Sequence, residues 1–248
     1  MVGDTHGDLD RCKLVIDYAV SNNCKIIIIL GDFGFFPNLQ GYDKFIKGLS
    51  EYSLKCGVSI HWIKGNHENH EVLQSICNGS VNVQEIHPNV FFHPNGNVWE
   101  VDGVKFLSMG GAWSIDKTRR IQGVSWFPDE EISNNDVYYS YELNDVDVVC
   151  SHDSPLSSNI SEYLNFYPDP NTTSNQKKLQ EVVENVRPKF LFHGHYHIKY
   201  FGHSSYTDES DNVNEIKTIG LGANTGQLAD MVYIFDTEEI RQAVSNVA

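Results

Sequence analysis

Residues 25–32 read Lys-Ile-Ile-Ile-Ile-Leu-Gly-Asp, and they decide the fold. The apolar run is too short for a helix and β-branched through most of its length, which suits a buried strand. It stops at the polar turn Gly31-Asp32. Upstream, Leu9–Ser21 carries Leu14, Val15, Tyr18 and Ala19 at helical spacing. Downstream, Tyr42–Lys55 reads as a helix, Ser59–Ile63 as a strand and His70–Cys77 as a short helix. Residues 90–108 are strand-rich, with hairpin-like breaks at Pro94-Asn95-Gly96 and Asp102-Gly103. The alternation then resumes with a strand at Val146–Cys150, a helix at Asn175–Val186 and a strand at Lys189–Phe192. Further strands are expected at Ile198–Phe201, Glu215–Ile219 and Met231–Phe235. Polar stretches at Ser157–Thr173 and Ser204–Asn214 read as loops. Interleaved helices and strands predict layered α/β, with a second, mixed sheet in the later part.

Composition narrows the function. A chain of 248 residues with 40% hydrophobic and 12% aromatic residues can bury one good core. Acids outnumber bases 33 to 18, a net charge of −15. That balance argues against gripping extended nucleic acid by a basic surface, and against docking on anionic membrane. The longest apolar run, Ile26–Leu30, is far below the ~20 residues that span a bilayer. The start, Met-Val-Gly-Asp-Thr-His-Gly-Asp, has no basic flank and no apolar core of a signal peptide. The five cysteines are scattered with no CxxC spacing, which predicts reduced thiols and a cytoplasmic setting. Oligomeric state has no signal in the sequence.

The chain holds 11 histidines, several of them in short polar clusters with aspartate and glycine. The clusters are Gly3-Asp4-Thr5-His6-Gly7-Asp8, Gly31-Asp32, Gly65-Asn66-His67-Glu68, Ser151-His152-Asp153 and Gly194-His195-Tyr196-His197. All but the first follow an expected strand, so they gather at one sheet edge. Asp4, His6, Asp32, Asn66, His152, His195 and His197 offer oxygen and nitrogen but no thiolate. That set fits Mn, Fe, Zn, Ni or Mg. It is too large for one tetrahedral ion and suits two ions bridged by a carboxylate. Two divalent ions and two aspartates leave a site charge of about +2, the right sign for a phosphate ester, with hydroxide between the ions as nucleophile. Gly3, Gly31, Gly65 and Gly194 are expected to turn the backbone off each strand and leave space beside an anion.

In this order, GDTHGD, GD, GNHE, SH and GHYH resemble the calcineurin-like metallophosphoesterase superfamily. The resemblance implies a four-layer αββα sandwich of two mixed β-sheets flanked by helices, as a single domain over residues 1–248. It implies two divalent ions, manganese first. Asp4, His6, Asp32 and His197 correspond to ligands of one ion. Asp32, Asn66, His152 and His195 correspond to ligands of the other, with Asp32 bridging. His67 corresponds to a catalytic histidine that contacts phosphate, as Asn66 also does, and can protonate the leaving oxygen. The family has a full strand before its first motif, whereas only Met1-Val2 precede Gly3: either the strand is clipped, in which case Asp4 and His6 are expected to be loosely held, or the sheet edge here is unusual. The segment Gly110–Arg120 with Ser125-Trp126-Phe127-Pro128 is similar to a bacteriophage and bacterial branch. Its Arg119 and Arg120 are candidate phosphate-binding residues, and Trp113 and Trp126 could face a nucleobase, although packing is the commoner role for such tryptophans.

His61, His70, His87, His93 and His203 read as hydrogen-bonded core residues, and His193 as core or a support for ligands. Asp8, Glu68 and Asp153 either orient ligands or cap helices. The acids of Asp145–Asp147 and Asp208–Asp211 read as solvated. The expected activity is a dinuclear-metal-dependent phosphoesterase acting on small phosphate esters. It leans to phosphodiesters, including nucleotides such as 2′,3′-cyclic monophosphates. The alternatives are a phosphomonoesterase or protein phosphatase, and a non-catalytic metal-binding scaffold. The second cluster reads GDFGFFPN, without the longer GDxVDRG pattern of protein phosphatases, which lowers that alternative.

Overall fold

The computed structural model describes residues 1–164, 173–208, 212–234, 236–238 and 240–241. The first part of the chain forms α1 (Leu9–Ser21), β1 (Ile26–Ile29), α2 (Tyr42–Cys56), β2 (Ser59–Ile63), α3 (His70–Cys77), β3 (Gln84–His87) and β4 (Val90–His93). Next come β5 (Val98–Val101), β6 (Val104–Met109), α4 (Asn134–Ser140), β7 (Val148–Ser151), α5 (Ile160–Leu164) and α6 (Ser174–Val186). The described part closes with β8 (Phe190–His193), β9 (Tyr200–Thr207), β10 (Val213–Gly220) and α7 (Leu228–Met231).

Two sheets result. The smaller runs β1-β2-β4-β3, parallel except for β3. The larger runs β5-β6-β7-β8-β10-β9, parallel within and closed by antiparallel edges. Side-chain alternation sorts the strands into layers. Ile28, Leu30 and Ile63 of the small sheet meet Phe106, Val148, Cys150, Phe192 and Ile219 of the large one. Ile27, Ile29, Ile60 and Trp62 face the other way, onto α1 and α2 through Val15, Ile16, Phe45 and Leu49. Leu107, Val149, Leu191 and Ile216 pack on α4 and α6 through Val137, Leu179, Val182 and Val183. The order is helix, sheet, sheet, helix: the expected αββα sandwich. Each large apolar side chain buried this way contributes roughly 1.5–3 kcal/mol before entropy.

Some expectations need correction. The inner face of α1 is Cys12, Val15, Ile16 and Ala19, whereas Leu14 and Tyr18 are exposed. Pro94–Gly96 is no hairpin; it is the turn by which the chain leaves β4 for β5 in the other sheet. Asp102-Gly103 does join a hairpin, β5 to β6. The supposed loop at Ser204–Asn214 is largely the paired ends of β9 and β10, and the expected strand at Ile198–Phe201 starts at Tyr200 and runs on to Thr207. Within Ser157–Thr173 lies α5, and residues 165–172 fall outside the described residues. At Met231–Phe235 the chain leaves α7 and makes only a bridge at Val232; Phe235 lies outside the described residues. β3 and α4 were not anticipated, because their sequences, Gln-Glu-Ile-His and Asn-Asn-Asp-Val-Tyr-Tyr-Ser, carry little apolar periodicity.

The lead into the first cluster is held on both sides, in line with an unusual sheet edge and not with loosely held ligands. Val2 bridges Ile29 on one side and Val232 on the other. Its N–H donates to Ile28 O at 2.8 Å, its carbonyl accepts from Leu30 N at 2.9 Å, and Gly3 N donates to Met231 O at 2.9 Å. No helix among the described residues is long and apolar enough to cross a membrane.

Candidate metal centre

The five clusters meet at one edge of the sandwich. Asp4 and His6 follow Val2, Asp32 follows β1, Asn66 and His67 follow β2, His152 follows β7, and His195 and His197 follow β8. Strands parallel within two stacked sheets bring these carboxyl ends together. The loops are also tied to one another. Thr5 N and His6 N both donate to Asp32 O, at 3.1 and 2.7 Å, and Gly7 N donates to Phe33 O at 2.9 Å. Phe33 is fully buried and stacks on Trp62 at 4.5 Å between centroids, which anchors the turn carrying Asp32.

All seven predicted ligand residues converge. Asp4 is 0% exposed and Asp32 1%. His197 Nε2 lies 3.0 Å from Asp4 Oδ2, and His6 Nε2 lies 4.0 Å from the same oxygen and 3.9 Å from Asp32 Oδ2. His152 Nε2 lies 3.3 Å from Asp32 Oδ1 and 3.0 Å from Asn66 Oδ1. The His195 ring is 5.1 Å from the His152 ring, and its backbone N–H donates to Asp4 Oδ1 at 3.1 Å. Asp4, His6 and His197 form one group with ligand atoms within 4.8 Å of each other; Asp4, Asp32 and His152 form another. Asp32 turns Oδ2 to His6 and Oδ1 to His152, the placement a shared carboxylate requires.

The arrangement demands positive charge. Asp4 Oδ2 is buried with no hydrogen-bond donor aligned on it. His152 Nδ1 donates to Leu30 O at 2.7 Å, so its Nε2 holds the lone pair in the neutral ring. That lone pair, Asp32 Oδ1 and Asn66 Oδ1 are then three acceptors facing one point. A proton or a metal ion must fill it. With no metal, burial pulls the His152 imidazole down, but the Asp32 and Asp4 carboxylates outweigh burial and push it up to about 10. Burial likewise works against ionised Asp32, yet His152, His67 and His6 hold it well below the usual carboxylate range. The Asp4 carboxylate beside it raises His197, while burial and the neighbouring His152 keep His195 well below its ordinary value. Buried carboxylates, imidazoles and an amide oxygen with no thiol make a donor set that fits divalent cations.

The backbone is shaped for this. His6, Asp32, His195 and His197 all adopt left-handed φ, at 46°, 46°, 68° and 57°. Such residues cost of order 1–3 kcal/mol each and persist where the surroundings over-determine them. Among the four glycines expected to turn the chain, only Gly31 has positive φ, at 88°. A Cβ on Gly65 would overlap the Asp32 carboxylate, and one on Gly194 would overlap that of Asp4. Those glycines make room for candidate ligand side chains, and the turning falls mainly to the candidate ligands themselves.

A supporting layer surrounds the cluster. Glu68 accepts from Gly65 N at 2.6 Å and Gly34 N at 3.3 Å; burial, then Asp32, raises its carboxyl to about 8. Asp153 accepts from Tyr196 Oη at 2.6 Å and Asn175 Nδ2 at 2.9 Å, linking two loops to α6. Asp8 instead caps α1 through Arg11 N. Ser114 and Glu130 were missed: Asn66 Nδ2 donates to Ser114 Oγ at 2.8 Å, and Ser114 Oγ donates to Glu130 Oε2 at 2.7 Å. Neither residue lies in one of the five clusters; Ser114 falls inside the quoted segment Gly110–Arg120 but carries no pattern of its own there, and Glu130 lies outside it. His67 stands beside His6 at 5.7 Å between ring centroids, its backbone N–H donating to Asp32 Oδ1 at 2.8 Å.

The two candidate phosphate arginines part company. Arg120 reaches His67 Nδ1 at 3.3 Å but spends its donors on protein groups, while the Arg119 side chain is exposed and forms no hydrogen bond or ion pair among the described residues. Lys117 Nζ sits over the Trp113 ring at 4.5 Å, and Trp126 is half-buried. Of the remaining histidines, His61 and His93 bond each other at 2.8 Å and His193 bonds Tyr200 Oη at 2.6 Å. His70 and His87 are less satisfied than expected, since His70 Nε2 and His87 Nδ1 are buried without a partner. His203 is exposed beside Glu215 at 3.7 Å, not in the core. Asp145 is solvated as expected, whereas Asp147 accepts from Lys105 N at 2.8 Å; residues 209–211 lie outside the described residues.

A sequence model of calcineurin-like phosphoesterases matches residues 1–199. Among solved structures, the chain is similar to the phosphopantetheinyl hydrolase from Mycobacterium tuberculosis. The two are 17% identical over 90% of this chain and 89% of that one, with a TM-score of 0.46. No curated protein sequence was found to match.

Proposed function

The chain belongs to the calcineurin-like phosphoesterase family, and on that premise we propose that it is a dinuclear phosphodiesterase acting on small esters. The family makes it a metal-dependent hydrolase of phosphoric esters. In our assignment Asp4, His6, Asp32 and His197 hold one divalent ion, and Asp32, Asn66, His152 and His195 hold the second. When bound, the ions supply Lewis-acid charge for the phosphoryl oxygens and acidify a water for attack. Asp32 presents one oxygen to each group, and Glu68 and Asp153 keep the loops from spreading. His67 stands at the rim to contact the phosphate and the leaving oxygen. The observation that carries this reading is the meeting of His152 Nε2, Asp32 Oδ1 and Asn66 Oδ1 beside the buried Asp4 carboxylate.

The charge around the site supports the diester. A monoester approaches two negative charges near neutral pH, a diester carries one. Arg120, the guanidinium that reaches His67, has its donors engaged by protein groups. Nucleotides such as 2′,3′-cyclic monophosphates are the first substrates to try, with manganese as the first metal. The five free thiols support a cytoplasmic location, and we take residues 1–248 as one domain. The test compares bis-p-nitrophenyl phosphate with p-nitrophenyl phosphate, at measured metal content. Faster diester turnover is expected. Faster monoester turnover would make the protein a phosphomonoesterase, and full metal occupancy with neither ester cleaved would make it a scaffold.

A further inference from the structure

The Arg120 side chain is 8% exposed and surrounded by partners. Nε lies 3.1 Å from Asp116 Oδ1; NH1 donates to Ser125 O at 2.9 Å and approaches His67 Nδ1 at 3.3 Å. NH2 donates to Ser114 Oγ and lies 3.4 Å from Glu130 Oε2. A guanidinium has no acceptor. His67 Nδ1 must therefore hold the lone pair, and the proton of the neutral ring sits on Nε2, which has no protein partner among the described residues. Ser114 completes the constraint. Its one hydroxyl proton goes to Glu130 Oε2 at 2.7 Å, while its N–H donates to Glu130 Oε1 at 2.9 Å. Ser114 Oγ can then only accept from its other neighbours. Asn66 has to turn its amide nitrogen to Ser114, at 2.8 Å, and its oxygen to His152, at 3.0 Å.

We propose that Arg120 is a positioning residue: held in a buried bracket with Ser114 and Glu130, it fixes His67 with its proton on Nε2, while Ser114 of the same bracket sets the Asn66 amide with its oxygen toward His152. One bracket thereby orders two neighbouring residues with different tasks. His67 becomes a hydrogen-bond donor to a phosphoryl or leaving oxygen, with Nδ1 closed by Arg120. The bracket spans residues 66–130, so the segment carrying Arg120 is part of the site and not a cover over it.

This inference rests on the phosphoesterase reading for its rate effects but not for its ring geometry, and two measurements separate them. In ¹⁵N-labelled protein, His67 is expected to show the Nε2–H tautomer in the wild type and a mixture in Arg120→Met. On bis-p-nitrophenyl phosphate, Arg120→Met should lose roughly 10–100-fold in kcat, the usual scale for removing a supporting partner, with KM little changed and part of kcat restored by added guanidinium. Ser114→Ala tests the other arm and should weaken metal binding roughly 10–100-fold while leaving the His67 tautomer alone. An unchanged His67 tautomer in Arg120→Met, or a loss confined to KM, would overturn the proposal. If the wild type cleaves neither ester, the catalytic reading fails and the tautomer measurement still decides this one.

Discussion

Two sets of histidines in this molecule, one within strands and one just past a strand end, behave in opposite ways. His61 and His93 lie on β2 and β4, in the layer between the sheets, joined by a 2.8 Å hydrogen bond and closed by Asn97 and Trp99. Burial pulls both down to about 4. His152 is more deeply buried, yet it stands one residue past the end of β7, facing Asp32 and Asp4, and is pushed up to about 10. Burial alone therefore does not decide what a histidine becomes. Within their strands His61 and His93 meet each other and uncharged neighbours and stay neutral; just beyond β7, His152 meets two carboxylates and calls for a cation.

The sharpest way to break this contrast is to remove the carboxylate that faces both groups. Asp32→Ala should lose both metals by elemental analysis, and esterase activity should fall by at least ~10²–10³-fold. Retained occupancy of either ion would mean that Asp32 is not shared. His67→Ala is expected to keep its metal and slow turnover by roughly 10²–10⁴-fold. Normal turnover in that variant would remove His67 from the mechanism.

The contrast can be sharpened through pH. The folded-state values of His61 and His93 are depressed, so the stability they contribute is present above the unfolded value of about 6.5. It is lost as pH falls through about 4. One such imidazole gives up roughly 2 kcal/mol between pH 7 and pH 5. His152 runs the other way in metal-free protein: its value is raised, so its contribution is complete below about 6.5 and is lost as pH climbs through about 10. Urea midpoints at pH 5, 7 and 9, with and without chelator, should show an acid limb that His93→Gln flattens. They should also show an alkaline limb only in the chelated protein. An alkaline limb that manganese leaves unchanged would deny His152 its place at the cation site.

Much of this was readable beforehand. Lys25–Leu30 and the strands after it pointed to layered α/β, because apolar, β-branched runs ending in a polar turn signal both a buried strand and a loop beyond it; the four-layer sandwich came from the resemblance of the motifs. Five of the seven predicted ligands follow strand ends of this kind, and Asp4 and His6 join them through the bridges of Val2. The left-handed φ of His6, Asp32, His195 and His197 was not readable, since the packing of neighbouring loops imposes it. Nor was the bracket of Ser114, Arg120 and Glu130: a serine, an arginine and a glutamate spread over one irregular segment carry no periodicity. β3 and α4 escaped for a similar reason, being held by their neighbours more than by their own pattern.

The smallest expected effect concerns the residue beside the bracket. Arg119 and Arg120 are equivalent by sequence reading, and a phosphate clamp could use either. In the fold they point to different surroundings: Arg120 is enclosed by Asp116, Ser125, Ser114, Glu130 and His67, while Arg119 is exposed at the end of a short 3-10 turn. Arg119→Ala should therefore change stability by no more than about 0.5 kcal/mol, the ordinary range for a surface substitution. Turnover of bis-p-nitrophenyl phosphate should stay within about twofold, which is the same energy expressed as a rate. A tenfold loss would show that Arg119 reaches the substrate once it is bound. The site's positive charge would then include a mobile arginine as well as its ions, and the preference for a singly charged ester would lose its support.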